Sequence, residues 1–197
     1  MYLFLFFICF YLIVFVLRSL IVWKRTGINP FTFSRTDDAH SSNGNVFKII
    51  SILELTLVGL YAFRLDWYDY LLPFWYLEST TLAYVGWGLL FFSLIWIWIA
   101  QVQMSRSWRI GIDEVNTTEL VTHGLFSFSR NPIFLGIMTA NLGLFLILPN
   151  AFTLLIVALS TVTINTQIRL EEAFLKLEHG QPYLDYQKKT RRWIGSN

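Results

Sequence analysis

Residues 2–23 read YLFLFFICFYLIVFVLRSLIVW, an apolar run broken by one charge, Arg18, near its end. At 1.5 Å of rise per residue the run reaches about 33 Å as a helix, enough to cross a hydrocarbon core about 30 Å thick. No basic residue precedes it and no small-residue cleavage site follows, so it reads as a retained span rather than a signal peptide.

Four further apolar stretches follow: Val46 to Leu65, Ser79 to Val102, Ile133 to Leu148 and Phe152 to Ile168. The last two are separated only by Pro149, Asn150 and Ala151, which forces an antiparallel helical hairpin. The fold class expected is therefore all-α, a polytopic membrane protein of about five transmembrane helices. Composition agrees, with 55% hydrophobic residues, 18% aromatic and only 14% charged, where a soluble domain carries about 25% charged. A net charge of +2 and the lack of a basic, aromatic-interleaved run argue against a nucleic-acid partner. A single cysteine, Cys9, and three dispersed histidines, His40, His123 and His179, give no disulfide and no metal-ligand spacing.

The cations sort by connection. Lys24, Arg25, Arg35 and Lys48 flank the first connection, Arg106, Arg109 and Arg130 the third, and Lys176, Lys188, Lys189, Arg191 and Arg192 follow the last span. The opposite connections hold Asp66, Asp69 and Glu78, with Arg64 the one cation nearby, and the Pro-Asn turn. This pattern predicts an N-terminus outside and a C-terminus in the cytoplasm. The membrane would be the inner membrane of a bacterium or archaeon, or the endoplasmic reticulum of a eukaryote. Trp67, Tyr68, Tyr70, Trp75 and Tyr76 fit an anchoring aromatic belt at the outer boundary.

Phosphate-binding loops, nucleophile elbows and dinucleotide fingerprints are missing. Gly86 and Gly88 in the third span suit close helix packing, and Asn141 suits a helix–helix hydrogen bond. Glu54, about 12 Å into the second span, either lines a cavity, pairs with a cation such as Arg169, or makes a buried structural hydrogen bond. The strongest polar cluster is at the cytoplasmic end of the hairpin. Asn165, Arg169 and Glu172 are spaced i, i+4, i+7 and share a helix face, with Glu171 beside them. Pro132 suits the first turn of the fourth span, leaving Arg130 and Asn131 beside free N–H groups that favour an anion. The hairpin brings Arg130 and Arg169–Glu172 to one membrane face. Gly180 is expected to stop the last long helix and Pro182 to begin another through Arg192, with Tyr183 and Tyr186 covering the cluster.

In register, QMSRSWRIG (103–111), ELVTHGLF (119–126), RNPIFLG (130–136), RLEE (169–172) and HGQPYLDY (179–186) resemble the isoprenylcysteine carboxyl methyltransferase superfamily. That superfamily includes phospholipid N-methyltransferases, and this chain is most similar to its short prokaryotic members. The resemblance implies an S-adenosylmethionine-dependent methyltransferase whose cofactor lies at the cytoplasmic end of the hairpin under the C-terminal segment. By that likeness Val121, Gly124, Arg130, Asn131, Phe134, Glu171 and Glu172 are the cofactor-binding candidates. Arg169, Glu172 and Arg130 are the catalytic candidates, and no metal is expected. Two positions depart from the family pattern, Asn131 standing for its histidine and Phe134 for its tyrosine. The implied division is a three-span scaffold over residues 1–102 and a cofactor-binding region over 103–197, within one structural domain.

Methyl transfer from a sulfonium to a carboxylate cancels two charges, which a dry membrane boundary favours. The first expectation is thus O-methylation of a lipophilic acceptor of the isoprenylcysteine type. The second is a phospholipid N-methyltransferase, in which Glu172 would take or orient the amine proton. An NADPH-dependent sterol-reductase-like enzyme follows, and then a non-enzymatic membrane subunit or transporter. The partners expected are membrane lipids and a lipophilic or lipidated substrate.

Overall fold

The computed structural model describes residues 1–30, 39–111 and 119–195. Arg35, one of the cations used for orientation, lies outside them. Among the described residues, short 3-10 turns aside, there are six helices: α1 (Tyr2–Thr26), α2 (Ala39–Phe63), α3 (Thr80–Met104), α4 (Pro132–Ile147), α5 (Ala151–His179) and α6 (Gln181–Lys189). Four of them, α1, α2, α3 and α5, are long and apolar enough to span a bilayer, and α4 is a shorter apolar helix. The chain is a multi-pass integral membrane protein.

Helix ends differ from the edges of the apolar runs. The second helix is already formed at Ala39, ahead of Val46, and the fifth continues to His179 rather than ending at Ile168. Hydropathy marks where lipid contact stops, whereas a backbone ladder runs on through polar residues into water. The terminal helix is shorter than expected, ending at Lys189, because Thr190 is extended at φ −125°, ψ 132°. Gly180 ends α5 at φ +59°, a left-handed conformation that costs a glycine little.

The charge that interrupts the first apolar run has a structural use. Leu12–Leu17 of α1 is a π-helical turn, and the carbonyl of Val14 within it accepts a hydrogen bond from Gln101 Nε2 at 2.9 Å. One turn on, buried Arg18 donates through Nη2 to the carbonyls of Gln101 (2.6 Å) and Ser105 (2.8 Å). The last carbonyls of α3 lack helical partners, and a cation placed there also complements the helix dipole. Arg18 therefore ties α1 to the end of α3.

The α3–α4 seam brings backbone against backbone. A Cβ on Gly86 would lie 2.6 Å from the Gly143 carbonyl oxygen, and one on Gly143 would lie 2.8 Å from that of Gly86. This is the close approach expected of Gly86; Gly88 faces open space and plays no part in it. Asn141 is buried but makes no hydrogen bond among the described residues, so the expected helix–helix bond is absent. The hairpin turn is held by Asn150, whose Oδ1 accepts from Thr153 N at 2.8 Å, and by Phe74 N donating to the Pro149 carbonyl at 2.7 Å. Glu54 is buried and accepts from the Tyr11 hydroxyl of α1, so of its three readings the structural hydrogen bond is the one formed.

Candidate active site

A cavity of about 860 Å³ opens at the end of the bundle opposite the hairpin turn. Its polar wall begins with Glu172 on α5. Arg130, just before α4, donates from Nη2 to Glu172 Oε1 at 2.8 Å. Arg192, from the C-terminal segment, grips the same carboxylate at both oxygens, Nε to Oε1 at 3.0 Å and Nη2 to Oε2 at 2.6 Å. Glu172 is buried, Arg130 nearly so, and Arg192 has 36% of its side chain exposed. Such charge-assisted pairs survive away from water because Arg192 meets the carboxylate bidentately, Arg130 adds a third hydrogen bond, and the spare Nη1 of Arg130 is taken by backbone carbonyls. The Glu172 carboxylate in turn holds Arg192 charged, raising its pKa further.

Backbone contacts pull the C-terminal segment into this position. Arg130 N donates to the Arg191 carbonyl at 3.0 Å, Gly195 N to Phe128 O at 2.9 Å, and Asn131 Nδ2 to Arg192 O at 3.1 Å. Arg130 Nη1 also donates to the Thr190 carbonyl at 2.6 Å. The tail is thereby stitched across the entry of α4. Above it, Tyr183 and Tyr186 of α6 are buried side by side, with ring centroids 6.1 Å apart, and the Tyr186 hydroxyl donates to the Phe126 carbonyl at 2.6 Å. Burial raises the Tyr183 pKa to about 12 and that of Tyr186 higher still, so both phenols stay neutral donors at ordinary pH. They cover the cluster as the sequence suggests.

Of the residues singled out in the sequence, Val121, Arg130, Asn131, Phe134, Glu171 and Glu172 all line the cavity. Gly124 stands behind the wall: it takes φ +62°, and Gln103 occupies the space a Cβ would need while its Oε1 accepts from Leu125 N at 2.8 Å. Arg169 is not drawn in. It is exposed, makes no hydrogen bond or ion pair among the described residues, and does not line the cavity. Sharing a helix face with Glu172 brings it near in register, but α5 turns its i+3 neighbour inward and leaves Arg169 outside. Among the described residues the Asn165 side chain bonds only to the Thr161 carbonyl of its own helix, at 2.8 Å.

Sequence reasoning missed Arg192, which counted only as one of several boundary cations. No spacing rule links it to Glu172, twenty positions earlier; the pairing of the tail with Phe128 and Arg130 through backbone, and with Ser129 and Asn131 through their side chains, does so. It also placed the first two spans in the scaffold alone, yet Tyr11, Val14 and Phe15 of α1 and Phe47, Lys48 and Ser51 of α2 line the cavity. Phe47 lies nearly parallel to Phe134, their centroids 6.4 Å apart. That contact shows what the Phe134 departure retains: an aromatic face without a hydroxyl.

The family model for phospholipid methyltransferase matches residues 81–181, just over half the chain, from α3 to the start of α6. No curated protein matches the sequence. The match contains Arg130, Glu171 and Glu172 and excludes Arg192 and both of the first two helices. It removes the reductase and the non-enzymatic readings. The chain belongs to the phospholipid methyltransferase family, membrane enzymes that use S-adenosylmethionine.

Proposed function

We propose that this protein transfers a methyl group from S-adenosylmethionine to the amine headgroup of a membrane lipid. The observation that carries the reading is the shape of the cavity. Its polar end holds Arg130 and Glu172, the latter gripped from behind by Arg192, while its wall between α1 and α2 includes Val16 and Ile52. Those two side chains are 46% and 62% exposed on the apolar flank of the bundle, so the same space meets both water and bilayer. A lipid can slide in sideways with its chains in the membrane, while a polar cofactor enters from the mouth. The distribution of cations supports a mouth on the cytoplasmic side.

The cavity residues fit the cofactor. Trp108 and Phe134 offer aromatic faces for an adenine ring. The N–H groups of the first turn of α4 favour a carboxylate, and Arg130 Nε is buried without a hydrogen-bond partner among the described residues, one donor left for such a group. Val121, Arg130, Asn131, Phe134 and Glu172 are the residues we assign to holding it. When bound, it supplies an electrophilic methyl group on a sulfonium. The protein's own work is to fix the acceptor in line and to keep water out, with Tyr183 and Tyr186 as the cover.

The clamp bears on the choice between a carboxylate and an amine acceptor. An acceptor carboxylate needs a cation to orient it. Arg130 and Arg192 already share Glu172, and Arg169 is outside the cavity. The other two cations on the wall among the described residues are also engaged, Lys48 with Asn45 Oδ1 and Arg109 with the Arg106 and Trp108 carbonyls. The description of the family favours the amine as well. The test is calorimetry on detergent-purified protein with S-adenosylhomocysteine, followed by transfer of labelled methyl groups in phosphatidylethanolamine vesicles. Micromolar binding and label in the lipid are expected; absence of any S-adenosylhomocysteine binding would overturn the reading. Label appearing only when a prenylated cysteine is supplied would replace the amine by the carboxylate.

A further inference from the structure

Glu171 and Glu172 are adjacent on α5 and stand in opposite states. Both oxygens of Glu172 are taken by guanidinium groups. Glu171, turned about 100° around the helix, makes no ion pair among the described residues. Its Oε1 accepts from Gln167 Nε2 at 2.9 Å, one turn earlier, and its Oε2 makes no hydrogen bond among the described residues although the side chain lines the cavity.

Gln167 is held in turn. Its Oε1 accepts from Asn43 Nδ2 of α2 at 2.9 Å, and Asn43 also donates to the Thr163 carbonyl at 3.2 Å. Gln167 Nε2 lies 3.3 Å from His40 Nδ1. The Asn43 contact fixes which end of the Gln167 amide faces Glu171, because the oxygen must meet the Asn43 donor. An amide N–H donates to a carboxylate without cancelling its charge, so this chain orients Glu171 and leaves Oε2 available as an acceptor. The third carboxylate on the cavity wall, Glu119, is exposed.

Resting on the methyltransferase reading above, we infer that Glu171 is the proton acceptor for the lipid amine and that Gln167 is its positioning residue. An ammonium nitrogen has no lone pair to accept a methyl group. One N–H bond breaks and an O–H bond forms at Glu171 Oε2. The pair left on nitrogen makes the new N–C bond while the S–C pair withdraws to sulfur, and the proton then leaves Glu171 to water at the mouth. Glu172 could do this only by giving up its two arginines. This assigns to Glu171 the proton role that the sequence alone suggested for its neighbour.

Charged or titratable groups near Glu171 or on the cavity wall, among the described residues, are Tyr11 of α1, His40 and Lys48 of α2, Arg109 and Glu119 beside the mouth, Arg130 before α4, Glu172 of α5, and Tyr183 and Tyr186 of α6. The experiment compares wild type with Glu171→Gln by calorimetry, using dihexanoyl-phosphatidylethanolamine and its N-acetyl derivative. The wild type should prefer the free amine by about tenfold, as one charge-assisted hydrogen bond supplies, and Glu171→Gln should erase that preference. S-adenosylhomocysteine should bind both proteins equally. Turnover of Glu171→Gln should then rise about tenfold per pH unit between pH 7 and 9, following the free amine fraction in solution, while the wild type stays nearly flat. Gln167→Leu should lower kcat with little change in KM, and with cofactor binding intact. A Glu171→Gln protein that keeps both the preference and the wild-type rate overturns the inference. So does one that loses S-adenosylhomocysteine affinity while its thermal unfolding is unchanged, since Glu171 would then belong to the cofactor. If Glu171→Gln fails to fold, Glu171→Asp decides: retained preference with at least tenfold slower turnover supports the role, and unchanged turnover refutes it. Failure of the wild type to bind S-adenosylhomocysteine would instead strike the methyltransferase reading.

Discussion

Two seams of this bundle are built on opposite rules. Where α3 meets α4, Gly86 and Gly143 bring backbone against backbone, with Leu89, Leu90 and Ile147 filling in around them. Where α2 meets α5, the contact includes a run of amides, from Asn43 through Gln167 to Glu171, beside the cavity. In a bilayer the hydrophobic effect does little to join helices, so close approach and polar contacts must do it. The dry seam leaves nothing exposed for chemistry. The polar seam spends its hydrogen bonds on orienting one carboxylate and leaves that carboxylate's other oxygen to the cavity.

The largest effect should come from the polar side. Glu172→Ala removes the one anion between Arg130 and Arg192. Breaking a buried pair in this way costs about 3–5 kcal/mol, with the lower end apt here because Arg192 is 36% exposed. Calorimetry should show S-adenosylhomocysteine affinity falling by more than a hundredfold, at about 1.4 kcal/mol per tenfold. An unchanged affinity would mean that the clamp serves only to hold the tail.

The dry seam should answer differently. Gly86→Leu forces a side chain into a space where even its Cβ lies 2.7 Å from Ile147 Cγ1, and overpacking of this kind costs about 1–3 kcal/mol. Thermal unfolding in detergent should fall, with binding by the surviving folded fraction unaltered. Gly88→Ala, with nothing within 4 Å, is the control and should leave the unfolding midpoint unchanged or slightly raised. Loss of cofactor affinity in folded Gly86→Leu would show that the two seams are coupled.

The smallest effect is expected at Arg169. Arg169→Gln alters an exposed side chain outside the cavity, so stability should move by no more than about 0.5 kcal/mol and methyl transfer by less than about twofold. A tenfold loss of turnover would restore it to the catalytic group.

Much of the architecture was legible in the chain because lipid reads sequence locally. An apolar run such as 2–23 must be a helix whatever surrounds it, and Pro149-Asn150 between two such runs must be a tight turn. The motifs around Arg130, Glu171 and Glu172 were legible too, since the hairpin alone carries them to one face. Which guanidinium meets which carboxylate was not. Arg169 and Arg192 are both cations near Glu172, one by helical register and one by a long return of the tail, and register favoured the wrong one. The backbone pairing of residues 191–195 with 128–130 brings Arg192 to Glu172, while the rotation of α5 leaves Arg169 exposed outside the cavity. The same holds for Glu171: its sequence neighbour is an equivalent acid, and what separates them is the set of donors that distant helices bring. Sequence alone determined the spans, the turn and the residues available at the mouth. Tertiary structure decided which of those charges are cancelled and which stay open, because pairing depends on distances that no local spacing contains.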